Sequence, residues 1–169
     1  LVGASAIGHV RYSTTGDSTA RNVQPILIDC QRGEIAVAHN GNIVNADVLQ
    51  EQLEAAGSIF QSTSDTEVLL HLYARARMGP VEDAIAASLL KVRGAYSLLF
   101  LTKDALVAAR DPLGIRPLAL GKLGDAYVVS SETCAFDLIE ATYVREVAPG
   151  EVLVIDKNGL RSFFPFPKD

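Results

Sequence analysis

At 169 residues, 49% hydrophobic and 21% charged, the chain can bury the core of one domain and is too apolar for a disordered segment. It carries 20 acidic against 15 basic residues, a net charge of −5, with no basic cluster, which argues against nucleic acid or an anionic membrane surface as partner. No apolar run approaches the roughly 18–20 residues of a membrane helix, no secretory leader opens the chain, and Cys30 and Cys134 are too few for a disulfide framework. A reduced, cytoplasmic setting is the expectation.

The elements follow from periodicity. Ser5 to Val10 is short and apolar-rich and reads as a strand, whereas Tyr12 to Gln24 is dense in Ser, Thr, Gly and Asn and reads as a loop. Pro25 to Asp29 and Glu34 to His39 flank Gln31-Arg32-Gly33, a hairpin pattern, with the second strand ending on Asn40-Gly41. Asn45 to Ala56 has helical spacing and Gly57 as a stop. Ser64-Asp65-Thr66-Glu67 matches a capping box opening a second helix, and Pro80 suits the start of a third. From Gly94 onward the period is that of strands. The runs are Ala95 to Thr102, Ala105 to Ala109, Leu118 to Gly121, Tyr127 to Ser130, Tyr143 to Val147, Val152 to Asp156 and Leu160 to Phe164, with one short helix from Thr133 to Glu140. Connections this short exclude βαβ crossovers, so the sheets are antiparallel and the fold class is α+β, sheet on sheet with helices outside.

Four constellations carry chemistry. In Gly8-His9-Val10-Arg11-Tyr12-Ser13-Thr14, an Arg at a strand mouth followed by hydroxyls can grip a carboxylate, or can sit in a surface ion pair. His39-Asn40-Gly41-Asn42 offers a side-chain amide beside an unhindered backbone N–H, two donors for a developing oxyanion; Asn-Gly is equally a turn dipeptide. Asp65 is the member of its capping box that the cap does not need, and a carboxylate there can take an ammonium or simply favour the helix dipole. Arg110-Asp111-Pro112-Leu113-Gly114-Ile115-Arg116-Pro117-Leu118 reads as a stiff corner that can form part of a pocket wall. His9, His39 and His71 have no metal-ligand spacing, and no phosphate loop or nucleophile elbow occurs.

In this order, the four pieces resemble the class II glutamine amidotransferases, whose glutaminase domain uses an N-terminal nucleophile. The Tyr of Arg11-Tyr12-Ser13 and the Arg110–Leu118 loop resemble most the branch that makes phosphoribosylamine from phosphoribosylpyrophosphate for purine synthesis. Hexosamine-phosphate and asparagine synthases are the alternative, and a non-catalytic amino-acid-binding module is a third reading.

The resemblance implies a four-layer αββα sandwich. It assigns Arg11 and Thr14 to the glutamine α-carboxylate, Asp65 to the α-ammonium, and the Asn40 amide with the Gly41 N–H to the oxyanion hole. Glutamine is the implied ligand, and the implied partners are a phosphoribosyltransferase domain of the same polypeptide and further copies in a homo-oligomer. No cofactor or metal is expected in this chain; in such parents Mg2+ and, in some, an iron–sulfur cluster belong to other parts. The family nucleophile is a Cys at the mature N-terminus, whereas residue 1 here is Leu. The expectation is therefore that residues 1–169 are a truncated glutaminase domain without its first strands, its nucleophile or its acceptor domain, and inactive alone.

Overall fold

A computed structural model describes residues 3–10 and 20–167. In chain order its strands are β1 (Ile26–Cys30), β2 (Gly33–Ile43), β3 (Gly94–Thr102), β4 (Ala105–Arg110), β5 (Ala119–Leu123), β6 (Ala126–Ser130), β7 (Thr142–Glu146), β8 (Val152–Asp156) and β9 (Gly159–Phe163). Its helices are α1 (Ala46–Ala55), α2 (Glu67–Ala74), α3 (Val81–Leu89) and α4 (Cys134–Leu138). Two antiparallel sheets result, a large one in the order β1-β2-β3-β4-β8-β9 and a small one in the order β6-β5-β7.

Alternation along each strand of the large sheet divides its side chains between two cores. On one face, Tyr96, Leu98 and Phe100 of β3, Val107 of β4 and Val154 of β8 join Leu69, Ile85 and Leu89 of α2 and α3 in the main hydrophobic cluster. On the other, Ala108 of β4 and Leu153 of β8 meet Leu118, Leu120 and Val147 from around the small sheet. Each fully buried large apolar side chain here contributes about 1.5–3 kcal/mol. On the far side of the small sheet, Phe136 of α4 is buried and packs where a Gly121 side chain would stand. The layers are thus helices, sheet, sheet and a single short helix, the expected αββα arrangement.

The small sheet is an excursion between two strands that are themselves neighbours, β4 and β8. The chain therefore leaves and re-enters the large sheet at one place, and two buried charged side chains organise that crossing. Asp111 has no exposed surface; its carboxylate accepts the N–H groups of Leu113, Ile115 and Arg116 at 3.1, 3.0 and 3.0 Å. The Arg110 guanidinium donates to the carbonyls of Arg116, Val147 and Gly114 at 2.7, 2.7 and 2.9 Å. Gly114 is required here, because its φ of +64° is left-handed and a Cβ would lie 2.7 Å from Pro149 Cγ. The loop is the structural corner expected, and its Arg116 and Leu118 also border the cavity described below.

Three local expectations are corrected. Residues 5–10 are irregular, and Val10 is 95% exposed; no described strand pairs with this segment in a ladder, and apolar residues become a strand only where a ladder partner exists. β2 does not end on Asn40-Gly41 but continues to Ile43, paired with β3 through Asn40↔Ser97 and Gly41↔Tyr96. The capping box does not close either. Ser64 Oγ accepts the Thr66 N–H at 3.3 Å, but Glu67 instead accepts the N–H groups of Gln61 and Ser62 at 2.9 and 2.8 Å, bracing the preceding loop, and α2 opens at Glu67.

Asp111→Ala leaves buried N–H groups unpaired and should lower the unfolding free energy by about 3 kcal/mol or more. Urea titration followed by circular dichroism measures this, and a loss below 1 kcal/mol would refute the assigned role.

Candidate active site

The site begins where β1 ends. β1 meets β2 from Ile26↔Val37 onward, and the residue before it, Pro25, has no N–H with which to extend the ladder. β2 goes on to Ile43 with an open edge on that side. In an antiparallel pair the backbone groups alternate in direction, and Tyr96, opposite Gly41, turns its own N–H and C=O to Asp111. The N–H groups of His39, Gly41 and Ile43 therefore all face the open edge. Gln24 Oε1 takes that of His39 at 2.7 Å, and Asp65 Oδ2 takes that of Ile43 at 2.8 Å. Between them, the Gly41 N–H has no hydrogen-bond partner among the described residues. Only glycine fits at 41, since φ is +155° and a Cβ would stand 2.0 Å from the Ala95 carbonyl oxygen.

Neighbouring side chains of β2 go to opposite faces. Asn40 projects towards the small sheet, where its Nδ2 donates to Ser131 Oγ at 3.1 Å. Ser97, paired with Asn40 across the strands, donates to the Pro117 carbonyl at 2.7 Å and so ties the Arg110–Leu118 loop to the same floor. His39 is buried against the segment that opens α2. Its Nδ1 is 3.0 Å from Thr66 Oγ1 and 3.6 Å from Asp65 Oδ1, and Gln24 Nε2 donates to the same Thr66 hydroxyl at 3.2 Å. Burial works against the Asp65 charge; the His39 hydrogen bond and charge, the Ile43 N–H and the Thr66 hydroxyl outweigh it and hold the carboxyl below its ordinary value. Asp65 is an anion throughout the neutral range.

Asn40, Gly41 and Asp65 border one cavity of about 740 Å³, together with Ser131, Arg116 and Glu132. Gly8, His9 and Val10 reach its rim. Arg11 and Thr14 lie outside the described residues. A second cavity, of about 800 Å³, lies between β1 and α2 and is bordered by none of the expected site residues. Neither Cys30 nor Cys134 borders the first cavity, and among the described residues no three His, Cys, Asp or Glu side chains converge as metal ligands. Sequence reasoning missed Gln24, Thr66, Ser97 and Ser131. Gln24 sits in a polar loop and Ser131 in a Ser-Ser-Glu turn, and neither has a spacing relative to Asn40 that would single it out.

Two antiparallel sheets packed face to face between helices make this an α+β domain of the N-terminal-nucleophile type. The model of the glutamine amidotransferase domain family matches residues 9–137, and the chain belongs to that family. It is 54% identical over 161 residues to the amidophosphoribosyltransferase of Bacillus subtilis (strain 168), covering 95% of this chain and 34% of the relative. It is 55% identical over 169 residues to the chloroplastic amidophosphoribosyltransferase 1 of Arabidopsis thaliana, covering 99% of this chain and 30% of that one. Among solved structures, the glutamine phosphoribosylpyrophosphate amidotransferase of B. subtilis, complexed with ADP and GMP, superposes with a TM-score of 0.89 at 51% identity, over 95% of this chain and 34% of that one. A class-II glutamine aminotransferase domain protein from Silicibacter pomeroyi shares the fold at a TM-score of 0.61 and 18% identity, over 84% of this chain and 70% of its own. The chain spans about a third of the length of the curated relatives it matches. Among the described residues no helix is long and apolar enough to cross a membrane.

The Asp65 environment has a signature in pH. A carboxyl that titrates below its ordinary value of 3.8 binds its proton less tightly when folded. Its contribution to stability is full above that value and is lost as pH falls through the lower folded value. The stability gap between the native protein and Asp65→Asn should therefore be smaller near pH 3 than at pH 5. Urea titrations at these pH values measure it; a gap that widens in acid would contradict the assigned charge.

Proposed function

We propose that the cavity binds glutamine and is the ammonia-generating site of an amidophosphoribosyltransferase. The observation that carries this is the convergence on one cavity of the Asn40 amide, the Asp65 carboxylate and the Gly41 N–H, which has no partner among the described residues. In this reading Asp65 takes the α-ammonium by a charge-assisted hydrogen bond. Arg11 and Thr14, which follow the rim residues Gly8 to Val10, take the α-carboxylate. The substrate side chain then lies along β2, with its amide oxygen between Asn40 and Gly41.

The chemistry is acyl transfer to a thiol. The nucleophile's own α-amino group takes the thiol proton, the thiolate adds to the amide carbon, and the oxygen becomes an oxyanion held by the Asn40 and Gly41 donors. The C–N bond breaks as the nitrogen takes the proton from the nucleophile's own α-amino group, releasing ammonia and leaving a thioester. Water then hydrolyses the thioester to glutamate and free thiol. No described thiol borders the cavity, so this reading requires a cysteine from outside residues 1–169, placed beside Asn40. The likeness to amidophosphoribosyltransferases over nearly the whole chain supports phosphoribosylpyrophosphate as the ammonia acceptor, in a domain that is not among these residues. Any Mg2+ or iron–sulfur cluster belongs to that remainder. Self-association is part of the proposal, with the exposed Tyr143 and Val144 on edge strand β7 as its seat.

In the intact polypeptide, Asn40→Ala should lower kcat for glutamine hydrolysis on the order of 10²–10³-fold and leave synthesis from free ammonia unchanged. Equal loss of both activities, or full glutaminase activity, would refute the oxyanion assignment. Asp65→Asn should raise KM for glutamine about 10–100-fold, the worth of one charge-assisted hydrogen bond. Glutamine binding by calorimetry without any hydrolysis in the intact polypeptide would favour an amino-acid-binding module instead.

A further inference from the structure

The Asn40 side chain makes one hydrogen bond among the described residues, to Ser131. That bond joins the two sheets, because Asn40 belongs to β2 of the large sheet and Ser131 directly follows β6 of the small one. Ser131 also borders the cavity. Its position is fixed from both sides. Ser130 closes β6 opposite Ala119, and its Oγ accepts the Glu132 N–H at 3.2 Å, shaping the turn that carries Ser131. Beyond the turn, α4 is anchored by the buried Phe136.

We infer that Ser131 is a positioning residue for the oxyanion hole, holding the Asn40 amide so that a donor, and not its carbonyl, faces the reacting oxygen. The inference rests on the glutaminase reading of this site. A primary amide has two N–H groups in one plane, about 120° apart. Ser131 Oγ accepts one, which fixes the plane and directs the other into the cavity. Without that acceptor the amide is free to turn about its terminal torsion, a broad and nearly two-fold one. Half a turn would put Oδ1, a pure acceptor, where negative charge develops. The ground state makes little demand on this donor, so substrate binding is spared and the penalty falls on the transition state.

The test uses the intact polypeptide. Ser131→Ala should lower kcat for glutamine hydrolysis about 10-fold, part of what losing the donor itself costs, with KM for glutamine within about twofold of the native value and ammonia-dependent synthesis unchanged. Ser131→Thr, which keeps the hydroxyl, should restore most of the rate, and Ser131→Gly should repeat the alanine result if Ser131→Ala folds poorly. The decisive readout is the double variant: in the Asn40→Ala background, Ser131→Ala should cost nothing further. Affinity for an aldehyde analogue of glutamine, which forms a tetrahedral adduct with the thiol, should fall by the same factor as kcat, while affinity for glutamate stays the same. If Asn40→Ala is crippled and Ser131→Ala is fully active, or if the two losses multiply, Ser131 does not act through Asn40 and the inference falls alone. If Asn40→Ala itself keeps full glutaminase activity, the underlying site reading falls, and this inference with it.

Discussion

The candidate site depends on one mismatch: β2 outlasts its neighbour β1. A strand edge left open inside a folded domain exposes N–H groups that must find other partners. Gln24 and Asp65 take two of these, at His39 and Ile43, and both are tied into the Thr66–His39 network. Among the described residues the donor left unclaimed between them is that of Gly41, flanked by groups already held in place. The local cost of ending β1 early, at Pro25, is thus turned into a rigid and polar cavity wall. A donor aimed by a β-ladder needs no reorganisation when charge develops beside it, which is the condition for efficient electrostatic stabilisation.

The second constraint is the return crossing between sheets. Because β4 and β8 are neighbours, the excursion through the small sheet starts and finishes at the same spot. Two opposite charges buried side by side in the chain, Arg110 and Asp111, satisfy the backbone groups of that tight double passage. Their effect extends to the cavity. The loop they hold presents Arg116 and Leu118 to it, and Ser97 anchors Pro117 to the strand that carries the cavity floor. The large sheet supplies the donors and the small sheet supplies the opposite wall, so the geometry of this corner sets the width of the site.

Much of the fold was legible because period is a local property. The alternation in Ala95 to Thr102 and the helical spacing in Asn45 to Ala56 each reflect a side chain's distance from one apolar face, which neighbours in sequence report directly. The failures fell where an element depends on a distant partner. Residues 5–10 have the composition of a strand but no described ladder to join. Asn-Gly looked like a strand end because that dipeptide favours turns, yet in β2 the pairing of Gly41 with Tyr96 carries the strand through it. The Ser64–Glu67 box has the letters of a cap, but Glu67 braces residues 61 and 62 instead.

By itself, the sequence determined the α+β antiparallel class, the division into a helical middle and a strand-rich second half, and the polar residue types of Asn40, Gly41 and Asp65, from which the proposed glutamine site is built. These follow from periodicity and from the intrinsic chemistry of side chains. Only the tertiary structure decided that the three line one cavity, that the Gly41 N–H finds no partner among the described residues while its neighbours do, and that Ser131 and Gln24 line the same cavity. Those facts concern which strand edge lies open and which loop returns beside it. They are set by pairing across 91 residues in the case of Asn40 and Ser131, a separation at which no local pattern carries information.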